Sequence, residues 1–148
     1  MKPSVVIVGV LSLLMIAWSV GRVEGKLERV NAQDKVIFAS PDKGDYKSMV
    51  PGVSVAPIWG DQSKGAHATY SKFVAGQDNG WHTHTNDVWL VVIKGAYLYK
   101  DDAGEKRVGP GDFLRVPGGH KHWSGGDKKE GGLFYEESSG KFDLIPAK

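Results

Sequence analysis

Histidine is scarce in this chain of 148 residues, and its five copies all fall between His67 and His122. Four of them form two pairs with one spacing: His82 and His84 in "GWHTHTNDVWLVVIKG", and His120 and His122 in "PGGHKHW". In an extended strand, residues i and i+2 point to the same face, so each pair projects its imidazoles together. Imidazole nitrogen is a good ligand for iron, zinc, copper, nickel and manganese. Two from one strand fix two corners of a coordination polyhedron. A third from another strand completes a facial set and leaves positions for water, substrate or dioxygen, the mark of a catalytic metal site. One such pair on a strand is ordinary surface decoration. Two pairs flanked by Gly and Pro turns, with His67 the only other histidine, point to a metal. The chain has no cysteine, which excludes thiolate ligands and disulfides and leaves His, Asp and Glu as donors.

The elements that must position these side chains read as strands. With 20 Gly, 7 Pro and 10% aromatic residues, the composition suits an all-β protein with many tight turns rather than a helix bundle. Strand patterning begins at "KVIFAS" and continues, after the turn-rich "PDKGDYKSMVPG", in "VSVAPIWG". The alternation of "GAHATYSKFVAG" places His67, Thr69, Ser71 and Phe73 on one face. "WHTHTNDVWLVVIKG" follows, then "AYLYK", the turn "DDAGEK", the strand "DFLRV" between two Gly/Pro turns, "GLFYEES" and "FDLI". Glu136 and Glu137 are adjacent in one of these strands, so one of them faces inward. Strands at such short intervals predict a sandwich or closed barrel.

The N-terminus reads as a targeting segment. Lys2 precedes an uncharged run to Gly21, densest in apolar residues from Val5 to Val20, which suits a signal peptide cleaved after Gly25 or Ala32. The run is also long enough to span a bilayer, where about 17–25 residues are needed, so a retained anchor is the alternative. The expected organisation is therefore residues 1–25 as signal peptide or anchor, 26–35 as a polar linker, and 36–148 as the β-barrel domain. The expected location is exported, periplasmic or extracellular, with membrane contact only through the N-terminal segment. Without cysteine a lipoprotein is excluded. Net charge is +2, or +1 once Lys2, Arg22 and Glu24 are lost with residues 1–25. So balanced a chain, with scattered basic residues, does not predict nucleic-acid binding.

Two stretches resemble the cupin family. "GWHTHTNDVWLVVIKG" is similar to the first cupin motif, G-x5-H-x-H-x(3,4)-E-x6-G, with His82, His84 and Gly95 in register; Gly80 stands only two residues before His82 and does not match the opening Gly. "GDFLRVPGGHKHWSGG" is similar to the second, G-x5-P-x-G-x2-H-x3-N, with Gly111, Pro117, Gly119 and His122 in register and Gly126 where Asn is usual. The resemblance spans Ala66 to about Glu137 and looks like small exported single-domain cupins. It implies one jelly-roll β-barrel with a metal in its mouth held by His82, His84 and His122. Counting back from Gly95, the usual acidic ligand falls on Val88, which cannot ligate, and Asp87 beside it belongs to the opposite strand face. Three arrangements remain: a three-imidazole site, a fourth ligand from His120, His67, Glu136 or Glu137, or a site without metal.

His120 is a candidate ligand or proton donor beside the metal, and His67 a candidate for substrate contact or acid–base work. Asp112 in "GPGD" reads as a turn-capping residue. The expected cofactor is a divalent ion, iron(II) favoured, with zinc, manganese, nickel or copper as alternatives. The expected activity is a dioxygenase-like reaction on a small organic molecule, with lyase or isomerase chemistry as alternative if the metal is zinc or manganese. A non-catalytic module that binds a small molecule or metal is the second reading. Pairing of two copies through "KVIFAS" is a further expectation drawn from the resemblance.

Overall fold

The computed structural model describes residues 36–148. The run Val5–Val20, both cleavage points and the linker lie outside the described residues. The strands are β1 (Lys47–Val50), β2 (Val53–Gly60), β3 (His67–Phe73), β4 (Asp78–Thr83), β5 (Val88–Gly95), β6 (Tyr97–Asp101), β7 (Gly104–Val108), β8 (Phe113–Val116), β9 (His122–Gly126), β10 (Gly132–Ser138) and β11 (Ile145–Pro146). The only helix among the described residues is a single 3-10 turn, Pro41–Lys43. None is long and apolar enough to cross a membrane.

The strands form two antiparallel sheets in the orders β1-β2-β3-β10-β5-β8 and β11-β4-β9-β6-β7. Sequence neighbours are often not sheet neighbours: β10 returns between β3 and β5, and β9 between β4 and β6. That exchange, characteristic of a jelly roll, brings the second histidine motif beside the first. Between the sheets lies a core of Leu90, Val92, Tyr97, Tyr99, Val108, Val116 and Phe134. Phe134 is fully buried and meets Phe73 and Tyr97 edge-on, with ring centroids 4.9 and 5.3 Å apart. Its removal to alanine would cost about 3–5 kcal/mol. Inner-face alternation carries on along β10: Phe134, Glu136 and Ser138 face inward, while Tyr135 and Glu137 hydrogen-bond to each other outside (3.1 Å).

Several strands differ from the sequence-based expectation. Val36–Ser40 form no strand, and the exposed Val36 and Phe38 pack on nothing that would order a ladder. The first strand lies instead inside the stretch expected as turns, where Lys47 pairs with Val55. β7 was hidden by its exposed, charged "GEKR", and it is held by backbone pairing to β6 rather than by an apolar face. β9 was hidden among Gly/Pro turns. The run "WHTHTNDVWLVVIKG" divides into β4 and β5, which belong to different sheets.

Candidate metal centre

His82 lies in β4 and His122 opens β9, and the two are direct antiparallel partners. Trp81 and Trp123 pair one position away. Strand alternation therefore sends both tryptophans to one face and both histidines to the other. Direct partners place their Cβ atoms about 4.5–5.5 Å apart, close enough for two imidazoles to address one ion. His84 stands just past the end of β4. Ring centroids are 4.3 Å apart for His82 and His122, 5.0 Å for His82 and His84, and 5.4 Å for His84 and His122. The three are buried, and each offers a ring nitrogen within 4.8 Å of the others.

One nitrogen of each ring is already committed to a backbone carbonyl. His82 Nδ1 donates to Gly80 O (2.8 Å), His122 Nδ1 to His120 O (3.0 Å), and His84 Nδ1 to Asp143 O. With Nδ1 protonated and bonded, the neutral ring presents a bare lone pair on Nε2, the form a metal requires. The local chain is shaped for these contacts. A bulge between Asp78 and Trp81 carries Gly80 at φ +70°, a left-handed conformation that L side chains rarely adopt, and leaves its carbonyl on the His82 ring. The C-terminal segment pairs Ile145 with Thr83 and Pro146 with His82, which brings Asp143 to His84. Asp143 also accepts from Thr85 N (2.8 Å). Phe142 packs on the His84 ring (5.5 Å), and Tyr99 stacks on His122 (5.6 Å, 19° between planes).

Burial pushes the His122 imidazolium down to about 4, an effect the carbonyl of His120 opposes and the neighbouring His82 and His84 reinforce. Burial lowers His82 and His84 as well. All three rings are neutral near pH 7. His122 Nε2 is buried and has no hydrogen-bond partner among the described residues. An unpartnered buried acceptor costs about 1–3 kcal/mol, and a cation at this point removes that cost. Three convergent neutral imidazoles with an orphaned lone pair fit a divalent metal.

Val88 occupies the corner where the cupin pattern has its acid. It is buried, and pairs with Val116 and Ser138 in the adjoining strands. Asp87 does not turn inward: it accepts from Arg115 Nε (3.0 Å) and Gly118 N (2.9 Å) at the surface. His120 is not brought to the triad. Its side chain is 42% exposed, and Nε2 meets Asp101 Oδ2 (3.1 Å). That oxygen also accepts from Tyr99 OH (2.8 Å), so His120 stands two bonds behind the ring stacked on His122. His67 is buried in the other sheet, its Nδ1 between Gly65 O (2.9 Å) and Gly140 O (3.1 Å). Among the described residues its Nε2 has no partner, and it belongs to no metal-holding group. Asp112 caps its turn by accepting from Gly109 N (2.9 Å).

His82 and His84 open onto a cavity of about 440 Å³ between the sheets. Val53, Val55 and Phe73 form much of its wall, and Asn79, Tyr97, Ser124 and Glu136 supply polar atoms. Its size lies within the ~300–1,000 Å³ usual for small-molecule sites. Glu136 is half-buried and lines this cavity, and burial raises its carboxyl to about 7. The sequence left open which of Glu136 and Glu137 faces inward. The parity set by Phe134 was the available signal. Nothing in the local pattern marked Asp143 or Phe142, which reach the site only through the path of the C-terminal segment.

Residues 69–133 match the family model of the cupin domain. The chain carries a cupin domain. Solved structures with the same fold include KdgF from Halomonas sp., at 20% identity and TM-score 0.57, covering 71% of this chain and 94% of that one. The polyketide cyclase RemF from Streptomyces resistomycificus is 14% identical with TM-score 0.64, over 77% of this cupin and 87% of the cyclase. An RmlC-like cupin from Shewanella frigidimarina is 18% identical with TM-score 0.57, over 71% and 92%. At these identities they establish the fold alone. No curated protein matches the sequence.

Proposed function

We propose that this cupin is a metal-dependent enzyme of the cell envelope that acts on a small organic molecule, with iron(II) as metal and dioxygenase-type chemistry. The observation that carries the reading is the triad: three buried neutral histidines whose Nδ1 atoms are all spent on carbonyls. His82, His84 and His122 would hold the ion through Nε2. A divalent cation bound by three neutral ligands retains its full charge and supplies Lewis acidity, and iron(II) adds reactivity toward dioxygen. Gly80, Asp143 and His120 keep the rings oriented through their carbonyls, as outer partners of metal ligands do. Export rests on the apolar run Val5–Val20.

The test combines elemental analysis of untagged protein with oxygen uptake on a panel of small organic compounds. Stoichiometric iron and substrate-dependent oxygen consumption support the reading. Stoichiometric zinc or manganese with turnover but no oxygen uptake replaces it with lyase or isomerase chemistry. Val88 favours a second reading, a binding module without turnover, because the corner that usually bears an acid is apolar. Ligand binding by protein that never turns over would establish that module instead. Fractionation of the full chain, followed by the mass of the mature form, tests export.

A further inference from the structure

The walls of the cavity restrict what can occupy it. Beyond the histidines the lining is largely aliphatic and aromatic, with Val53, Val55, Phe73 and Phe142 inside and the exposed Val50 and Leu144 at the rim. Among the described residues no Lys or Arg lines it. A carboxylate or phosphate seated away from the triad would therefore be desolvated with no countercharge from the described lining. Glu136, the one acidic side chain lining it among the described residues, would repel such an anion further. The rim points the same way, since exposed apolar side chains at an entrance favour an apolar visitor.

Glu136 reaches this cavity from the inner face of β10. It forms no salt bridge among the described residues, and burial is the sole cause of its shift. Its neighbours across the ladder are Thr69 and Leu90, neither of which carries charge. The titratable groups sharing its cavity are Tyr97, His82 and His84. A carboxyl near 7 is populated in both forms at neutral pH, the condition for efficient proton transfer in either direction.

We propose that this cavity takes an uncharged, largely apolar carbonyl compound, and that Glu136 is the catalytic residue that removes and returns a proton on the carbon beside the carbonyl. In the forward step the Glu136 carboxylate takes the proton. The electron pair of the broken C–H bond becomes the new C=C bond, and the carbonyl π pair moves onto oxygen to give an enolate. Return of the proton from the carboxylic acid to carbon reverses the step. No oxidant or reductant is consumed. The inference rests on the small-molecule reading of this same cavity.

The test uses the full chain loaded with redox-inert zinc and two probes with the same reacting end. Phenylacetone is uncharged, and 4-(2-oxopropyl)benzoate adds a carboxylate at the far end. Phenylacetone is expected to bind at least about tenfold more tightly, and its CH2 hydrogens to exchange in D2O at least about 100-fold faster than in buffer, as read by proton NMR. In Glu136→Gln the exchange falls by about 100-fold or more, while zinc content is unchanged and phenylacetone affinity moves less than about threefold. Glu136→Asp, which keeps a carboxyl, retains measurable exchange. Equal or tighter binding of the carboxylate probe, absence of phenylacetone binding, or exchange unaltered in Glu136→Gln overturns the inference. The probe comparison needs only wild-type protein, so a poorly folding variant does not remove the test. Failure to hold zinc defeats the metal reading separately, and apolar preference is then read on the metal-free chain.

Discussion

The two histidine pairs have the same spacing, yet His82 and His84 both turn inward whereas only His122 of the second pair does. His82 is inside β4, with His84 immediately after it and tied to Asp143 O. His120 instead closes a turn, with its backbone N bonded to Pro117 O (3.1 Å) and Gly119 before it at φ +77°. The rule that i and i+2 share a face presumes extended backbone between them. A turn ending on the first residue of the pair suspends it. The released side chain goes to Asp101, but the backbone of His120 stays in the site as the acceptor for His122 Nδ1.

The sharpest way to press this comparison is to restore the acid the first motif lacks. Val88→Glu buries a carboxyl at a site 5% exposed, and the metal-free protein should lose roughly 3 kcal/mol of stability. Added zinc should return most of that loss if the new carboxyl reaches the cation. Urea midpoints with and without zinc measure both. An identical deficit in the two conditions would place position 88 away from the metal.

Acid is the next lever. His122 titrates near 4 in the folded chain against the ordinary 6.5, so the native state holds fewer protons than the unfolded one between those values. Stability of the metal-free protein is complete above about 6.5 and declines as pH falls toward about 4. A denaturant series across that window should show the slope in wild type, and a smaller one in His122→Ala.

Smaller effects separate the two pairs directly. Asp143→Ala keeps the carbonyl that His84 uses but removes the anchor on Thr85, and metal affinity should drop about tenfold by competition with a chelator. His120→Ala should leave affinity unchanged and cost less than about 1 kcal/mol, because its contact with Asp101 is partly exposed. A larger loss of metal in His120→Ala than in Asp143→Ala would reverse the order of importance drawn here.

Much of this was legible before any coordinates. β2, β3, β6, β8 and β10 carry period-two patterns with a buried face, and hydrophobic alternation marks such strands. β7 and β9 escaped because charge or glycine replaced the apolar signal, and backbone ladders leave no trace in side-chain pattern. His82, His84 and His122 were legible because their spacing sits among turn-forming Gly and Pro. Thr85, Phe142 and Asp143 were not, since proximity across nearly sixty positions depends on β11 pairing with β4, a contact only two residues long.

The most direct test is the metal content of untagged wild-type protein beside His122→Ala, prepared identically. The account predicts stoichiometric divalent metal in the wild type and its near-complete loss in the variant, because the buried Nε2 that lacks a partner among the described residues would be gone. Equal metal in the two preparations would contradict it.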